Sequence, residues 1–247
     1  MLFKTEGLVL RQTKYDEWDK ILTIFTRNNG KVQAIAKGAR RPKGSLVAST
    51  QVFSHSDFLL YQGRSLYHVN QADIINSFFS LRDDLYKLAY GTYIIELVDA
   101  ASIEGVENTK LFDLSIKTLK VLSGLDKDYK KLLAAFELKY ITFIGYRPQI
   151  SRCVLCNGEL GNIIKFSSQQ GGAICQSCFQ DGIGGATVSK DILIKMKELL
   201  FVHLDKINDL KMSIKDIDII EKLISNYIMN HIEKNNFKSL EFLKTLE

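Results

Sequence analysis

No stretch of the 247 residues approaches the roughly 20 uninterrupted apolar residues that a membrane span requires. The opening Met1-Leu2-Phe3-Lys4-Thr5-Glu6 has neither the long apolar block nor the small-residue cleavage site of a secretory signal, which points to the cytoplasm. The commoner catalytic motifs are missing too. There is no G-x-x-x-x-G-K-[ST] loop, no G-x-G-x-x-G after a strand, no H-E-x-x-H and no G-x-S-x-G. His55, His68 and His203 are scattered, and no pair of carboxylates is placed on a strand end or toward a metal. These absences argue against an enzyme. Internal repeats and low-complexity tracts are lacking as well.

What is present suits a folded protein with a sizeable core: 46% hydrophobic and 25% charged residues, in a length that makes one large or two ordinary domains. The net charge of +5 is unevenly spread. Residues 1–80 carry eleven Lys and Arg against six Asp and Glu, so the whole excess lies in the first third. A polyanion footprint has that organisation, although solubility alone would also account for it.

The hydrophobic pattern divides the chain. Leu8 and Leu10, Ile21 to Phe25, Val32 to Ala36, Val52-Phe53 through Tyr61, and Tyr67 to Val69 read as about five strands, with turn signals at Asn28-Asn29-Gly30 and Gln62-Gly63-Arg64. A five-stranded OB-type barrel fits, and an SH3-like barrel fits nearly as well. From residue 81 the period becomes helical. Leu81, Leu85, Leu88, Tyr93 and Leu97 predict a buried helix. Leu111 to Leu122 form a second, closed by Gly124, and Leu132 to Phe143 a third, closed by Gly145 with Pro148 beyond. Ser189 opens a fourth, Ser213 with Asp216 a fifth in the manner of a capping box, and Leu240 with Leu243 a short sixth. The fold class is therefore α+β: a barrel domain over 1–80 and a helical domain over 81–247, with a Gly- and Cys-rich insert at 151–186.

All four cysteines fall into one pattern, Cys153-x-x-Cys156, eighteen residues, then Cys175-x-x-Cys178. Two such turns bring four thiolates to one cation with no open position, which is the spacing of a structural zinc site, one per chain. Ile163 to Phe166 and Gly171 to Ile174 suggest a hairpin between them, making the insert a zinc ribbon. Two disulfides, a redox pair or four unrelated core cysteines are the competing readings. His231-Ile232-Glu233 has the form of the zinc-deaminase H-x-E but follows the cysteines, and its helical position beside Tyr227 and Ile228 makes His231 a core or boundary residue.

After the third strand comes Lys37-Gly38-Ala39-Arg40-Arg41-Pro42-Lys43-Gly44-Ser45, with four cations inside seven residues. Their repulsion costs folding free energy unless an anion relieves it, and Arg in particular forks onto phosphate. The loop reads as a clamp on a nucleic-acid backbone, or as a solvated turn. Tyr15, Trp18, Phe53, Tyr61 and Tyr67, near strand ends, are candidates to stack bases, though most barrel aromatics are core.

Taken in order, these parts resemble the RecO family of recombination and repair proteins along essentially the whole chain. The resemblance is carried by Glu6-Gly7-Leu8-Val9-Leu10, by Tyr15-Asp16-Glu17-Trp18-Asp19-Lys20-Ile21-Leu22, and by Gly30-Lys31 leading to Lys37-Gly38-Ala39-Arg40-Arg41-Pro42-Lys43. Gly145-Tyr146-Arg147-Pro148 before Cys153 and Gly171-Gly172 before the second cysteine pair extend it. It implies an OB barrel, then a helical domain with an inserted zinc ribbon. It also implies binding of single- and double-stranded DNA, annealing of complementary strands, and help in loading recombinase onto strands coated by single-strand-binding protein. Expected partners are RecR, in many members RecF, and the acidic tail of single-strand-binding protein. The expected DNA contacts are Lys31, Lys37, Arg40, Arg41 and Lys43; the expected tail contacts are Lys130 and Lys131, beside Leu132 and Leu133. The rival is a zinc-ribbon adaptor or transcription regulator whose barrel binds protein.

Overall fold

The computed structural model describes residues 2–179, 182–232 and 236–246. Five strands come first: β1 (Leu2–Lys14), β2 (Lys20–Thr26), β3 (Gly30–Ala36), β4 (His55–Gln62) and β5 (Tyr67–Asn76). β1 is far longer than the apolar pair Leu8 and Leu10 suggests, because it serves two neighbours. Its first half pairs with β4, from Leu2 opposite Tyr61 to Leu8 opposite His55. Its second half pairs with β2, ending with Lys14 opposite Lys20. A register shift between Val9 and Arg11 re-aims the strand between the two partners. β3 adds antiparallel to β2 and parallel to β5, and β5 returns to β4, so the sheet closes in the order β1-β2-β3-β5-β4.

Alternation fills the closed sheet. Val32, Ala34 and Ala36 of β3 point inward with Val9, Leu22, Ile24, Phe58 and Leu60, all buried. Burying a side chain of the larger kinds is worth about 1.5–3 kcal/mol. Val52 and Phe53 do not belong to the fourth strand, contrary to the hydrophobic reading. They form a turn in which Phe53 takes a positive φ of 74°, donates its N–H to the Val9 carbonyl at 3.0 Å, and is 1% exposed.

Helices α1 (Ser80–Asp83), α2 (Leu85–Ala101), α3 (Thr109–Gly124) and α7 (Lys238–Leu246) join the strands in one compact unit, residues 1–124 with 237–247. The single helix expected through Leu81 and Leu85 is broken at Asp84. That residue is extended, and its carboxylate accepts the Lys87 N–H at 2.8 Å, which caps α2 and leaves Leu85 exposed. Ala89, Tyr93, Ile95, Leu97 and Val98 of α2 are buried around much of its circumference, which explains its weak sidedness. The chain returns at Phe237, whose ring meets Tyr93 at 5.8 Å, and Ser239 bonds Glu96.

The second unit, residues 125–236, holds α4 (Tyr129–Phe143), α5 (Lys190–Phe201), α6 (Ile214–His231) and a small sheet, β6 (Ile163–Ser167), β7 (Gly172–Cys175) and β8 (Ala186–Ser189), in the order β7-β6-β8. Ser189 caps α5 through the Ile192 N–H, and Ser213 with Asp216 forms the full capping box on α6. β6 and β7 make the expected hairpin, with Ile164 opposite Cys175; β8, its third strand, had no separate sequence signal.

Candidate metal centre and nucleic-acid interface

The cysteine turns are set by backbone bonds. Cys153 N–H donates to Gly158 O and Asn157 N–H to Cys153 O, both at 2.9 Å, and Asn157 adopts a left-handed φ of 56° to close the turn. The neighbouring Val154 N–H donates to Ala173 O at 2.8 Å, tying this turn to β7. Gly172 lies against Gln149 so closely that a Cβ would come within 2.2 Å of its carbonyl oxygen, and its φ of 152° also favours glycine. Leading the second pair, β7 ends at Cys175.

The four Sγ atoms all lie within 4.8 Å of one another, and Cys156 and Cys175 are 3.7 Å apart. A tetrahedral ion with metal–sulfur bonds of about 2.3 Å needs sulfurs roughly 3.8 Å apart, so the set fits a closed four-thiolate site. Its electrostatics call for a cation. Burial pushes the Cys153 thiol up, but backbone donors at Cys175, Cys156 and Leu155 outweigh it and hold it at about 6. Cys178 moves the other way, to about 12, pressed by the sulfurs of Cys156 and Cys175. Four such sulfurs do not all ionise together unless a metal ion shares their charge. These residues could hold one. His231 is part of no such group among the described residues. It stacks on Tyr227 at 4.2 Å and its Nδ1 meets the Tyr227 carbonyl at 2.8 Å; Glu233 lies outside the described residues.

The barrel's cations divide into two sets. Lys4 pairs with Asp57, Arg11 with Asp99, Arg27 with Glu6 and Asp113, and Lys31 with Asp99. Lys31 also donates to the Asp99 carbonyl at 2.8 Å, so its charge is engaged on α2. Among the described residues, Lys14, Lys20, Lys37, Arg40, Arg41 and Lys43 pair with no carboxylate. Register collects them: Lys14 lies opposite Lys20, and Lys20 opposite Ala36, the last residue before the basic loop. Asp16, Glu17 and Asp19 stand in the turn between Lys14 and Lys20, but no ion pair joins them to these cations among the described residues. Arg64, in the β4–β5 turn, is a further cation that pairs with no carboxylate among the described residues.

The basic loop is held rather than loose. Ala39 and Leu46 are buried in the barrel core, Gly38 N–H donates to Asp19 Oδ1 at 2.8 Å, and Arg40 N–H donates to the Trp18 carbonyl at 3.0 Å. Gly38, at φ 67°, makes the turn that lets Arg41 N–H reach the Gly38 carbonyl. Lys43 holds a left-handed φ of 65° without being glycine, a conformation costing about 1–2 kcal/mol. Lys37, Arg40, Arg41 and Lys43 are exposed. Arg40 is partly engaged, its Nη1 donating to the Glu17 carbonyl at 2.8 Å and to that of Asp16 at 3.3 Å.

The candidate aromatics separate as well. Phe53 is core, and Tyr67 packs on the core with its ring edge-on to Phe3. Tyr15, Trp18 and Tyr61 are exposed, the last stacked on His68 at 4.7 Å. At Lys130 and Lys131 the structure corrects the expected groove. Lys130 pairs with Asp218 and Glu221; Lys131 is 4% exposed and donates to the Leu210 carbonyl at 3.0 Å; Leu132 and Leu133 are buried. These residues hold α4 to its neighbours and leave no apolar floor for a peptide. Spacing within the chain did not reveal this, since the carboxylates on Lys130 come from α6.

The family model for the N-terminal part of recombination protein O matches residues 1–78, and that for its C-terminal part matches residues 82–241. The chain belongs to the RecO family. A DNA repair protein RecO of Alkaliphilus metalliredigens is 42% identical over 248 residues, covering 100% of both chains. That of Symbiobacterium thermophilum is 37% identical over 248 residues, covering 99% of this chain and 98% of the relative. That of Listeria welshimeri is 32% identical over 250 residues, covering 99% and 94%. RecO membership makes this a DNA repair and recombination protein that binds DNA. No helix among the described residues is long and apolar enough to cross a membrane. Nothing in these relatives favours the adaptor or transcription-regulator reading.

Proposed function

We propose that the chain is a non-enzymatic mediator that binds single- and double-stranded DNA, anneals complementary strands and assists recombinase loading onto strands coated by single-strand-binding protein. One observation carries the reading: of the seven barrel cations without a carboxylate partner among the described residues, all but Arg64 gather along one edge, at Lys14, Lys20 and the Lys37–Lys43 loop. Neutralising phosphates on two strands there lowers their repulsion, and base pairing then drives annealing without nucleotide hydrolysis. The closed five-stranded sheet with its parallel β3–β5 pair suits an OB-type barrel, a fold used for oligonucleotides. Residues 1–80 are assigned as this DNA-binding domain and 81–247 as the helical domain. Lys37, Arg40, Arg41 and Lys43 are the proposed backbone contacts. Lys31 reaches DNA only by giving up Asp99, so it is placed outside the set.

Cys153, Cys156, Cys175 and Cys178 are proposed to hold one structural zinc in a ribbon over 151–186. When bound, the ion supplies a closed tetrahedral cross-link, and the residues around it fix the turns through Gly158, Ala173 and Gln149. The protein acts in the cytoplasm with RecR and in many members RecF. The acidic tail of single-strand-binding protein is placed on the helical unit, in a cleft of about 410 Å³ between Leu160, Leu193 and Ile194, edged by Arg152, Lys190 and Lys197 with Glu159 also on its wall.

The test is annealing of two complementary oligonucleotides, one pre-coated with single-strand-binding protein, without nucleotide or divalent metal. Acceleration that falls as salt rises is expected. A rate equal to the protein-free control at every salt concentration refutes the mediator reading.

A further inference from the structure

The barrel edge contains a feature that the basic loop does not need. Between the ends of β1 and β2 lies a cleft of about 290 Å³, lined by Gln12, Thr13, Lys14, Lys20 and Arg40, three cations and no carboxylate. Lys20 is its unusual member. It is only 9% exposed, and its ammonium donates to two neutral acceptors, Gln12 Oε1 at 2.6 Å and Thr50 Oγ1 at 3.3 Å. A lysine so placed is costly: charge taken from water needs a counter-charge, and none is supplied among the described residues. Burial, and secondarily the charge of Arg40, hold its pKa below the ordinary lysine value. The cost is compounded across the sheet, where Lys14 stands directly opposite Lys20, a like-charge pair that destabilises a ladder.

The surroundings are nonetheless ordered around this arrangement. Thr50 Oγ1 is itself fixed by the Leu46 carbonyl at 2.7 Å, and Gln12 Nε2 contacts Gln51 Oε1 at 3.4 Å. Arg40 is kept over the cleft by the carbonyls of Asp16 and Glu17. Lys20 and Arg40 thus stand preorganised around a small space, with Lys14 exposed at its side.

We propose that this cleft is a seat for one backbone phosphate of a nucleic-acid strand, with Lys20 as its floor and Lys14 and Arg40 as its sides. The seat rests on the DNA-binding reading and deepens it. The basic loop offers exposed cations that follow a strand loosely. The cleft fixes one phosphate in register, which places the strand across the β1–β2 hairpin before it meets the loop. A seated phosphate supplies the counter-charge that Lys20 lacks, so binding and folding stability are linked at this residue.

The experiment uses the 247-residue chain purified without chelator and the variant Lys20→Met, which keeps the stem and removes the charge. Binding of a single-stranded oligonucleotide and of an abasic strand of the same length is measured between 50 and 300 mM salt, with melting temperature beside it. The variant is expected to melt at or above the parent temperature and to bind both strands about five- to tenfold more weakly at low salt. Its log-affinity versus log-salt slope is expected to be shallower by about 0.7, the contribution of one phosphate contact on a single strand. Equal affinity and slope in parent and variant overturn the seat while leaving the loop reading intact. A parent that binds no strand overturns both. Should Lys20→Met fail to fold, lysine acylation of the parent protein decides: Lys20 shielded by the abasic strand supports the seat, and Lys20 equally reactive with and without it refutes it. Inorganic phosphate at constant ionic strength forms the last arm. Shielding of Lys20 by phosphate but not by the abasic strand assigns the cleft to a free anion and overturns the proposal.

Discussion

Replacing Arg40 and Arg41 by alanine tests the loop reading most directly. If Lys37, Arg40, Arg41 and Lys43 neutralise about three or four phosphates, their share of the log-affinity versus log-salt slope is roughly −2 to −3. Removing two of the cations takes about 1.4 from that slope. Between 50 and 200 mM salt, the parent's advantage over the double variant should therefore shrink by about sevenfold. Both side chains are exposed, so the core around Ala39 and Leu46 is untouched and circular dichroism should be unchanged. The structure adds a distinction. Arg41 makes no side-chain bond among the described residues, whereas Arg40 ties the loop to the Asp16 and Glu17 carbonyls. Arg41→Ala should thus change the slope by about 0.7 alone. Arg40→Ala should also loosen the β1–β2 turn, seen as faster amide exchange at Tyr15 to Asp19. Affinity should fall equally on strands of different base composition, because phosphate contacts do not read sequence. Fluorescence anisotropy with a labelled oligonucleotide, titrated at four salt concentrations, supplies both numbers. An unchanged slope in a correctly folded double variant would remove this loop from the DNA site.

Metal analysis of protein purified without chelator should return about one zinc per chain, and none with all four thiols reduced would refute the site; Cys175→Ser should lower the melting temperature without abolishing annealing. Burial holds the pKa of His55 below 6.5 despite Glu6 at 3.2 Å, so the unfolded chain binds more protons there and stability drops as pH falls through and below 6.5. Urea midpoints at pH 7.5 and 5.5 should differ less in His55→Gln than in the parent, and an equal difference would refute the assignment. Lys131→Ala should destabilise the protein by about 1–3 kcal/mol, since it removes the donor to the half-buried Leu210 carbonyl and the ion pair with Asp128. Arg152→Ala with Lys197→Ala should instead weaken capture of an acidic tail peptide without changing the urea midpoint. Unaltered peptide affinity in that pair would move the tail site elsewhere.

The sequence disclosed what is written locally. Alternation at Val32, Ala34 and Ala36, the capping box at Ser213 and Asp216, and the two C-x-x-C turns each depend on residues a few positions apart, and all appear where their spacing puts them. What it withheld depends on distant partners. Asp84 ends one helix and starts another, though Leu81 and Leu85 keep a helical period across it. Lys31 and Arg11 look like free barrel cations until Asp99, late in α2, is brought beside both. Lys130 and Lys131 look like a basic rim until α6 and Leu210 enclose them. Charge counting therefore places the excess in the first third of the chain and does not say which cations remain without carboxylates. Lys20 shows why. Nothing in its neighbours along the chain marks it as buried, and only the closure of β1, β2 and β3 with the Leu46–Thr50 segment buries it. A buried charge is visible only in three dimensions. Its lack of a counter-ion is the feature that points beyond the fold to a ligand.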